Sequence, residues 1–462
     1  MIAKQKKVYG ILLFVFFILT CNNVPPITPT PPAITPTPTP HSPSTFHVNG
    51  RIGSDANPGS RALPWRTIQK AANSLNSGDI VIVETGSYNE RVVINRSGSD
   101  GAPITFQAQE AVVMWGFTVQ ANYITIRGFE ITNTPDNSRD GMGVWIQGSN
   151  CLIEDNYIHY ATRGGILLFA EPESEDLTAS CVVRNNRLFR NSQFGIDVRG
   201  RNHLIENNEV WGTIQHHPDM AVQPGWVDAD GIHFHGSGHI FRGNYIHDIL
   251  YSAPENVNPH IDCFQTFLSL PYQEAASNII FEQNRCEIAY DEHGSGFMLN
   301  GASQITIRNN IINTYVGVNG QYSSGLTIIN NTFTSDVSLS TAYYPAGITF
   351  TSVSDSILQN NIFYNLPGHI VYLVEATDFS TKKNLAYRND GNPLWSTESY
   401  SHVDDLWGID PLFISPTDYH LQSDSPAIDV GEMVTVTNDY DGNPRPLGRG
   451  YDIGAFEYLP EP

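Results

Sequence analysis

Lysine is almost missing from this chain. Of 462 residues six are lysine, and Lys4, Lys6 and Lys7 lie at the extreme N-terminus, leaving Lys70, Lys382 and Lys383. Cations of both kinds are scarce: Lys+Arg is 25 against Asp+Glu 47, a formal net charge of −22. That excludes a nucleic-acid partner, because such binding is driven by neutralising phosphates. At 16% charged residues the chain is too poor in charge for a coiled coil, and at 40% hydrophobic it is too apolar for a disordered segment. The five cysteines form no CxxC pair, which removes the usual zinc-site spacing. Length alone would suggest two or three domains, although elongated β folds run longer as one unit.

What is present begins with an address. The apolar run Val8–Leu19 follows three lysines and is shorter than the roughly 20 residues a membrane span needs, so residues 1–20 read as an export signal. The run ends in Thr20-Cys21. This resembles a bacterial lipoprotein signal, which implies that Cys21 becomes the lipid-bearing first residue and that the protein is tethered to the cell surface. Setting the leader aside deepens the charge to −25. Residues 21–44 form a linker in which nine prolines fall between positions 24 and 44, favouring an extended polyproline II stalk.

The body is a repeat. LIEDNYI, VVRNNRL, LIENNEV, IFRGNYI, IFEQNRC, TIRNNII, TIINNTF and ILQNNIF align Asn156, Asn186, Asn208, Asn244, Asn284, Asn310, Asn331 and Asn361, and a degenerate copy adds Asn384. A second strand type (GVWIQG, GGILLF, GIDVRG, GIHFHG, HIDCFQ, GFMLNG, GITFTS) lies between the copies. Alternation with period two means one buried and one exposed face. A unit of about 22 residues cannot bury its own apolar face, and stacking solves that. The expected fold is all-β: a right-handed parallel β-helix of roughly ten coils, with the recurrent Asn at a left-handed turn position and its amides bonded from coil to coil.

The ends carry further marks. Residues 45–108 contain Gly53-Ser54-Asp55, Pro64-Trp65-Arg66-Thr67-Ile68, Gly78-Asp79 and Gly86-Ser87-Tyr88. They resemble the opening module of many extracellular β-helix proteins, a domain of unknown function. Within it Trp65 to about Leu75 predicts a short helix that would plug the open end of the stack. Residues 401–462, with DPLF, DSPAIDVG, DYDGNPRP and DIGAFEY, resemble the terminal segment of bacterial β-helix surface proteins and read as a second cap around the coils of 109–400. Together these features resemble the pectate lyase-like superfamily. Cys151 and Cys181 each precede a ladder Asn by five residues, which favours a buried thiol stack over a bridge; Cys263 and Cys286 fall in different columns one coil apart.

The chemistry is expected between residues 195 and 300. The two longest intervals between ladder residues, 36 and 40, flank Asn244, and nine of fifteen histidines lie between His203 and His293. Aligning the strands on Gly-Ile gives Asp197, His233 and Asp262 one outward column, with Arg199 and His235 in the next and Asp228, Asp230 and His260 at the rim. Neighbouring charges push carboxyl pKa values apart, as acid and base roles require. Asp230-Gly231, Asp262-Cys263 and His293-Gly294 also resemble the motif order of polygalacturonase-type hydrolases. That resemblance implies Asp262 as general acid, Asp230 as water-activating base and His293 in support; the paired Asp before the Cys and the Arg-Ile-Lys segment are absent.

Three readings follow. The first is a surface enzyme that cleaves a polysaccharide, with Asp262, Asp230, His233, Asp197, Arg199 and His293 as catalytic candidates. His235, His260, Gln265, Trp211, Trp226 and Tyr251 would bind substrate, the aromatics by stacking on sugar rings or by packing their own loops. The second is a polysaccharide lyase or uronan epimerase. The lysine shortage leaves it Arg199 or His233 as base, and Asp228, Asp230 and Asp219 could hold Ca²⁺ through oxygen ligands; otherwise no cofactor is needed. The third is a non-catalytic glycan-binding or adhesive protein. Each implies a monomer that meets the membrane only through a lipid.

Overall fold

The computed structural model describes residues 41–135, 141–169, 178–218, 228–257, 259–268, 274–288, 294–335, 346–397, 400 and 404–460. Short strands wind a single right-handed coil with three parallel faces. The first face stacks thirteen strands, from Thr45–Val48 to Thr377–Lys382. This exceeds the ten or so coils expected, because the earliest ones carry no ladder Asn to mark them. The second face includes Tyr157–His159, Arg187–Phe189, Glu209–Trp211, Tyr245–His247, Arg285–Glu287 and Ile311–Asn313. The third includes Gly164–Leu168, Phe194–Val198, Asp230–Phe234, Asp262–Thr266 and Ser295–Asn300. Among the described residues no helix is long and apolar enough to cross a membrane.

Register explains the repeat. On the first face Ile153, Val183, Ile205, Phe241, Phe281 and Ile307 follow one another coil by coil and are fully buried. Further inside, Phe241 stacks on Phe281 at 4.7 Å and Phe264 on Phe297 at 5.0 Å. The outward position beside this column alternates in sign: Arg127, Glu154, Arg184, Glu206, Arg242, Glu282, Arg308. Neighbours in that run pair at 2.5–4.0 Å, so Arg127, Arg184, Arg242 and Arg308 are all matched on this one face.

The Asn ladder forms as expected. Each Nδ2 donates to the Oδ1 of the next Asn at 2.9–3.0 Å, from Asn156 through Asn384, and the backbone N–H of Asn384 ends the run on Asp405 Oδ1. The left-handed residue, however, is the one before it: Asp155, Asn185, Asn207, Gly243, Gln283, Asn309, Asn330, Asn360 and Lys383 have φ between 52° and 62°. The ladder Asn itself is outside the left-handed region, and its amide bonds along the stack.

A second polar ladder runs at another turn. Cys151 N–H donates to Cys181 Sγ at 3.4 Å, Cys181 N–H to His203 Nδ1 and His203 N–H to His239 Nδ1, both at 3.1 Å. Cys151 and Cys181 are free thiols. Cys263 and Cys286, by contrast, form a disulfide. Adjacent coils show why their separate columns meet. Gly195, Gly231 and Gly296 are the second residues of their third-face strands, where a Cβ would come within 2.3–2.6 Å of Val210, Ile246 and Ile312 of the second face. Cys263 takes the glycine's place and Cys286 the place of the aliphatic residue, so the two side chains are driven together and bond.

The N-terminal helix is Ile68–Ser74, capped by Thr67 and shorter than the expected Trp65–Leu75. Glu90 accepts from its Ile68 and Gln69 N–H groups, and Ile68, Ala71, Ala72 and Leu75 join the main core. The C-terminal segment lies along the side of the coils. Asn330 Nδ2 donates to the Asp452 and Gly454 carbonyls, Asn360 Nδ2 to Glu432 and Asn309 Nδ2 to Asn438. Beneath it the outward positions of the second face turn apolar, Ile311, Ile362 and Leu385, and pack with Phe413, Tyr419, Ile453 and Phe456.

Candidate active site

The third face brings the expected acids and imidazoles together, in a different register. Asp197 stands beside His233, and His233 beside Gln265 and not Asp262. Asp262 opens its strand, in register with Ser295, and its backbone N–H donates to Asp230 Oδ1 at 2.6 Å. The outward column is therefore Asp197, His233, Gln265, Met298, and a separate column at the strand starts is Phe194, Asp230, Asp262, Ser295. The alignment failed because His260-Ile261 precedes the strand: Cys263, and not His260, occupies the glycine position. The sequence signal that locates it is Asp230-Gly231 against Asp262-Cys263.

Two buried pairs organise the site. Arg199 Nη2 bonds Asp197 Oδ2 at 2.6 Å, with Nε at 3.1 Å from both oxygens, while the guanidinium lies 4.8 Å above Phe169. Burial pushes the Asp197 carboxyl up, but Arg199 outweighs it and holds the pKa below the ordinary value. His233 Nε2 lies 2.7 Å from Asp230 Oδ2 and 4.0 Å from Asp228 Oδ2. Burial would lower the imidazole, yet Asp230, Asp197 and Asp228 raise it. Asp230 is fully buried; burial carries its pKa well above the ordinary range against the pull of His233.

Asp262 is the more approachable carboxyl. Its Oδ1 accepts the Ser295 N–H at 2.9 Å and its Oδ2 accepts Gln265 Nε2 at 3.2 Å. Burial, partly offset by Ser295, raises it to about 6. Ser295 is a contributor that the sequence analysis did not single out, since a backbone N–H leaves no mark in the residue pattern. Asp228 is half-buried at the rim, with His260 Nδ1 at 3.7 Å. The expected role of Asp230 as a water-activating base does not fit its position: both its oxygens are taken, by His233 and by the Asp262 N–H, so it orients its neighbours.

The remaining candidates divide. His235 is buried with both ring nitrogens unpartnered, Phe267 edge-on at 5.2 Å, and burial lowers its pKa to about 3. Gln265 Oε1 is also buried without a partner. Trp211 belongs to the second face, sandwiched between Phe189 at 5.0 Å and His247 at 5.9 Å, so its ring faces are not open to a sugar. Tyr251 packs against the main core. His203 and His239 explain part of the histidine clustering without chemistry: their Nδ1 atoms accept ladder N–H groups, their Nε2 atoms donate to the carbonyls of Arg199 and His235, and burial lowers them to about 3 and about 4. Cys21, Asp219, Trp226 and His293 lie outside the described residues.

Asp228, Asp230 and His233 offer ligand atoms within 4.8 Å of one another. Two carboxylates and an imidazole are the kind of donors a divalent cation takes, but Asp230 Oδ2 is bonded to His233 Nε2, so a cation there would have to displace the shared proton. Asp219, the third expected ligand, lies outside the described residues.

Parallel coils stacked in this way define a parallel β-helix. Residues 47–361 match the family described as Pel9A-like, right handed beta helix region, and the chain belongs to it. Among solved structures it is similar to XylC in complex with xylose, 15% identical over 90% of this chain and 98% of that one with a TM-score of 0.57. It is also similar to pectate lyase Pel9A, 17% identical over 91% and 97% with a TM-score of 0.51. The uncharacterized protein YwoF of Bacillus subtilis (strain 168) is 33% identical over 125 residues, 23% of this chain, and the match spans about a quarter (27%) of that relative.

Proposed function

We propose that the protein is a carbohydrate-active enzyme that cleaves a polysaccharide laid along the third face. The observation that carries this reading is Asp262, a carboxyl held on both oxygens and raised to about 6 next to an imidazole–carboxylate pair. A carboxyl that keeps its proton into the working pH range serves as a general acid. In a hydrolytic cycle Asp262 gives its proton to the glycosidic oxygen as the C–O bond breaks. Asp228, half-buried and acceptor-only when ionised, takes a proton from the water whose oxygen joins the sugar carbon. Asp230 positions both, through His233 and through the Asp262 N–H. The Pel9A-like family and the likeness to a xylose complex and a pectate lyase support a carbohydrate substrate.

A second reading, elimination from a uronic acid, is favoured by one observation, the trio Asp228, Asp230 and His233, whose ligand atoms lie within 4.8 Å of one another. The experiment is to incubate the protein with neutral and acidic polysaccharides, with and without EDTA. New reducing ends without ultraviolet-absorbing unsaturated products support hydrolysis; unsaturated products that vanish with EDTA support elimination. Absence of both, with binding retained, supports an adhesive protein. Export to the cell surface is part of the proposal, supported by the leader pattern of Lys4–Leu19 and Cys21 and by the Cys263–Cys286 disulfide, a bond at home in oxidising compartments. A monomer tethered by its Pro-rich linker completes it.

A further inference from the structure

We infer that the glycan accepted by the third face is uncharged. This rests on the cleavage reading above and narrows its substrate class. From residue 202 to residue 284, a stretch that supplies the strands Asp230–Phe234 and Asp262–Thr266 and both longest intervals, Arg242 is the sole lysine or arginine. Arg242 stands on the first face, 2.6 Å from Glu282. Arg199, which does reach the third face, is bonded twice over to Asp197. Arg163 precedes a strand two coils away, since Ile166 pairs Ile196 and Ile196 pairs Ile232.

A polyuronate would therefore bring one carboxylate per sugar to a strip whose own acids are Asp197, Asp228, Asp230 and Asp262. Among the described residues Arg199 is matched by Asp197 and His233 by Asp230. Like charges at such range oppose binding unless an ion intervenes. What the strip does offer is neutral hydrogen-bonding capacity. Both ring nitrogens of His235 and Oε1 of Gln265 are buried and unpartnered. Such groups suit sugar hydroxyls, and an unmatched polar atom is a cost that a hydroxyl can relieve.

The test is affinity electrophoresis of Asp262→Asn in gels containing xylan, galactan, β-glucan, polygalacturonate or alginate, each with EDTA and with Ca²⁺. Native protein is run beside it in the cold and assayed for cleavage of the same polymers. Retardation by at least one neutral polymer is expected, insensitive to EDTA and changing by less than about twofold between low and high salt. Retardation by polyuronates alone, or only with Ca²⁺, overturns the inference, as does retardation by none of the polymers. The two readings separate cleanly. Native cleavage of a polyuronate would defeat the uncharged-glycan inference and leave the enzyme reading standing; tight binding of a neutral polymer that native protein never cleaves would do the reverse.

Discussion

The backbone N–H of Asp262 donates to the side chain of Asp230 one coil below it, at 2.6 Å. The same Asp230 carboxylate holds His233 at 2.7 Å. One fully buried acid thus fixes the strand that carries the proposed proton donor and the imidazole beside it. Coil stacking at about 4.8 Å is what makes such a relay between sequence-distant residues available to this fold.

Removing the two acids separates donor from positioner. Asp262→Asn should lower turnover by about 10²–10⁴-fold, the usual worth of a general acid, without loss of folding. Asp230→Asn keeps an oxygen for the Asp262 N–H but removes the carboxyl that shares a proton with His233, so the His233 pKa should fall. NMR titration of the His233 ring reads that shift, which a merely structural role for Asp230 would not produce. Asp230→Ala would in addition strand two buried donors and should cost about 1–3 kcal/mol each.

The raised Asp262 carboxyl sets both an activity limit and a stability slope. As a general acid it must be protonated, so turnover should fall about tenfold per pH unit above pH about 6. Its pKa is higher in the folded chain than the ordinary 3.8. Its contribution to stability is therefore fully present below that value and lost as pH rises through about 6. The loss is about 3 kcal/mol at most. Asp262→Asn, which is neutral throughout, should remove this part of the slope, and Gln265 can turn its unpartnered Oε1 toward the new amide. Urea unfolding of both proteins across this range is the measurement; parallel pH curves would count against a raised Asp262.

Much of the fold was legible because the ladder asparagines combine a period with a residue-specific reason, the amide that both donates and accepts along the stack. The site was less so. Asp262 was expected beside His233 because Gly-Ile and His-Ile look alike, and the strand register shows that Cys263 is the glycine equivalent. His203 and His239 were counted toward chemistry, yet they continue the turn ladder begun by Cys151 and Cys181. A run of Cys, Cys, His, His has no shared composition to reveal it. Trp211 could not be assigned to a face from spacing, since second- and third-face strands alternate within every coil.

Cys263 and Cys286 stand where neighbouring coils place Gly and Ile. Reduction of the bond should lower stability by about 2–4 kcal/mol, read as a fall in Tm on adding dithiothreitol. The double variant Cys263→Gly/Cys286→Ile restores the pairing of Gly231 with Ile246 in the preceding coil. It should recover part of that loss and be indifferent to dithiothreitol. Cys263→Ser alone leaves a polar side chain against a buried thiol and should be the least stable of the set.

Gly243 and Asn244 are adjacent and should fail for different reasons. Gly243 takes a left-handed φ of 62°, and a Cβ there would come within 2.4 Å of Asn207 Oδ1, so Gly243→Ala should cost about 1–2 kcal/mol in backbone strain. Asn244 instead makes four ladder bonds with its side chain. Nδ2 donates to the Ile205 carbonyl and to Asn284, and Oδ1 accepts the N–H and Nδ2 of Asn208. Asn244→Ala strands all four partners in the core and should cost well over 3 kcal/mol at about 1 kcal/mol or more for each. Because the ladder is a chain of like contacts, the damage should spread along it. Hydrogen exchange should quicken at the Asn208 N–H, which loses its acceptor, and at neighbouring coils, whereas Gly243→Ala should leave the Asn208 N–H protected. Equal exchange in the two variants would mean that the amide ladder adds nothing beyond the geometry of the turn.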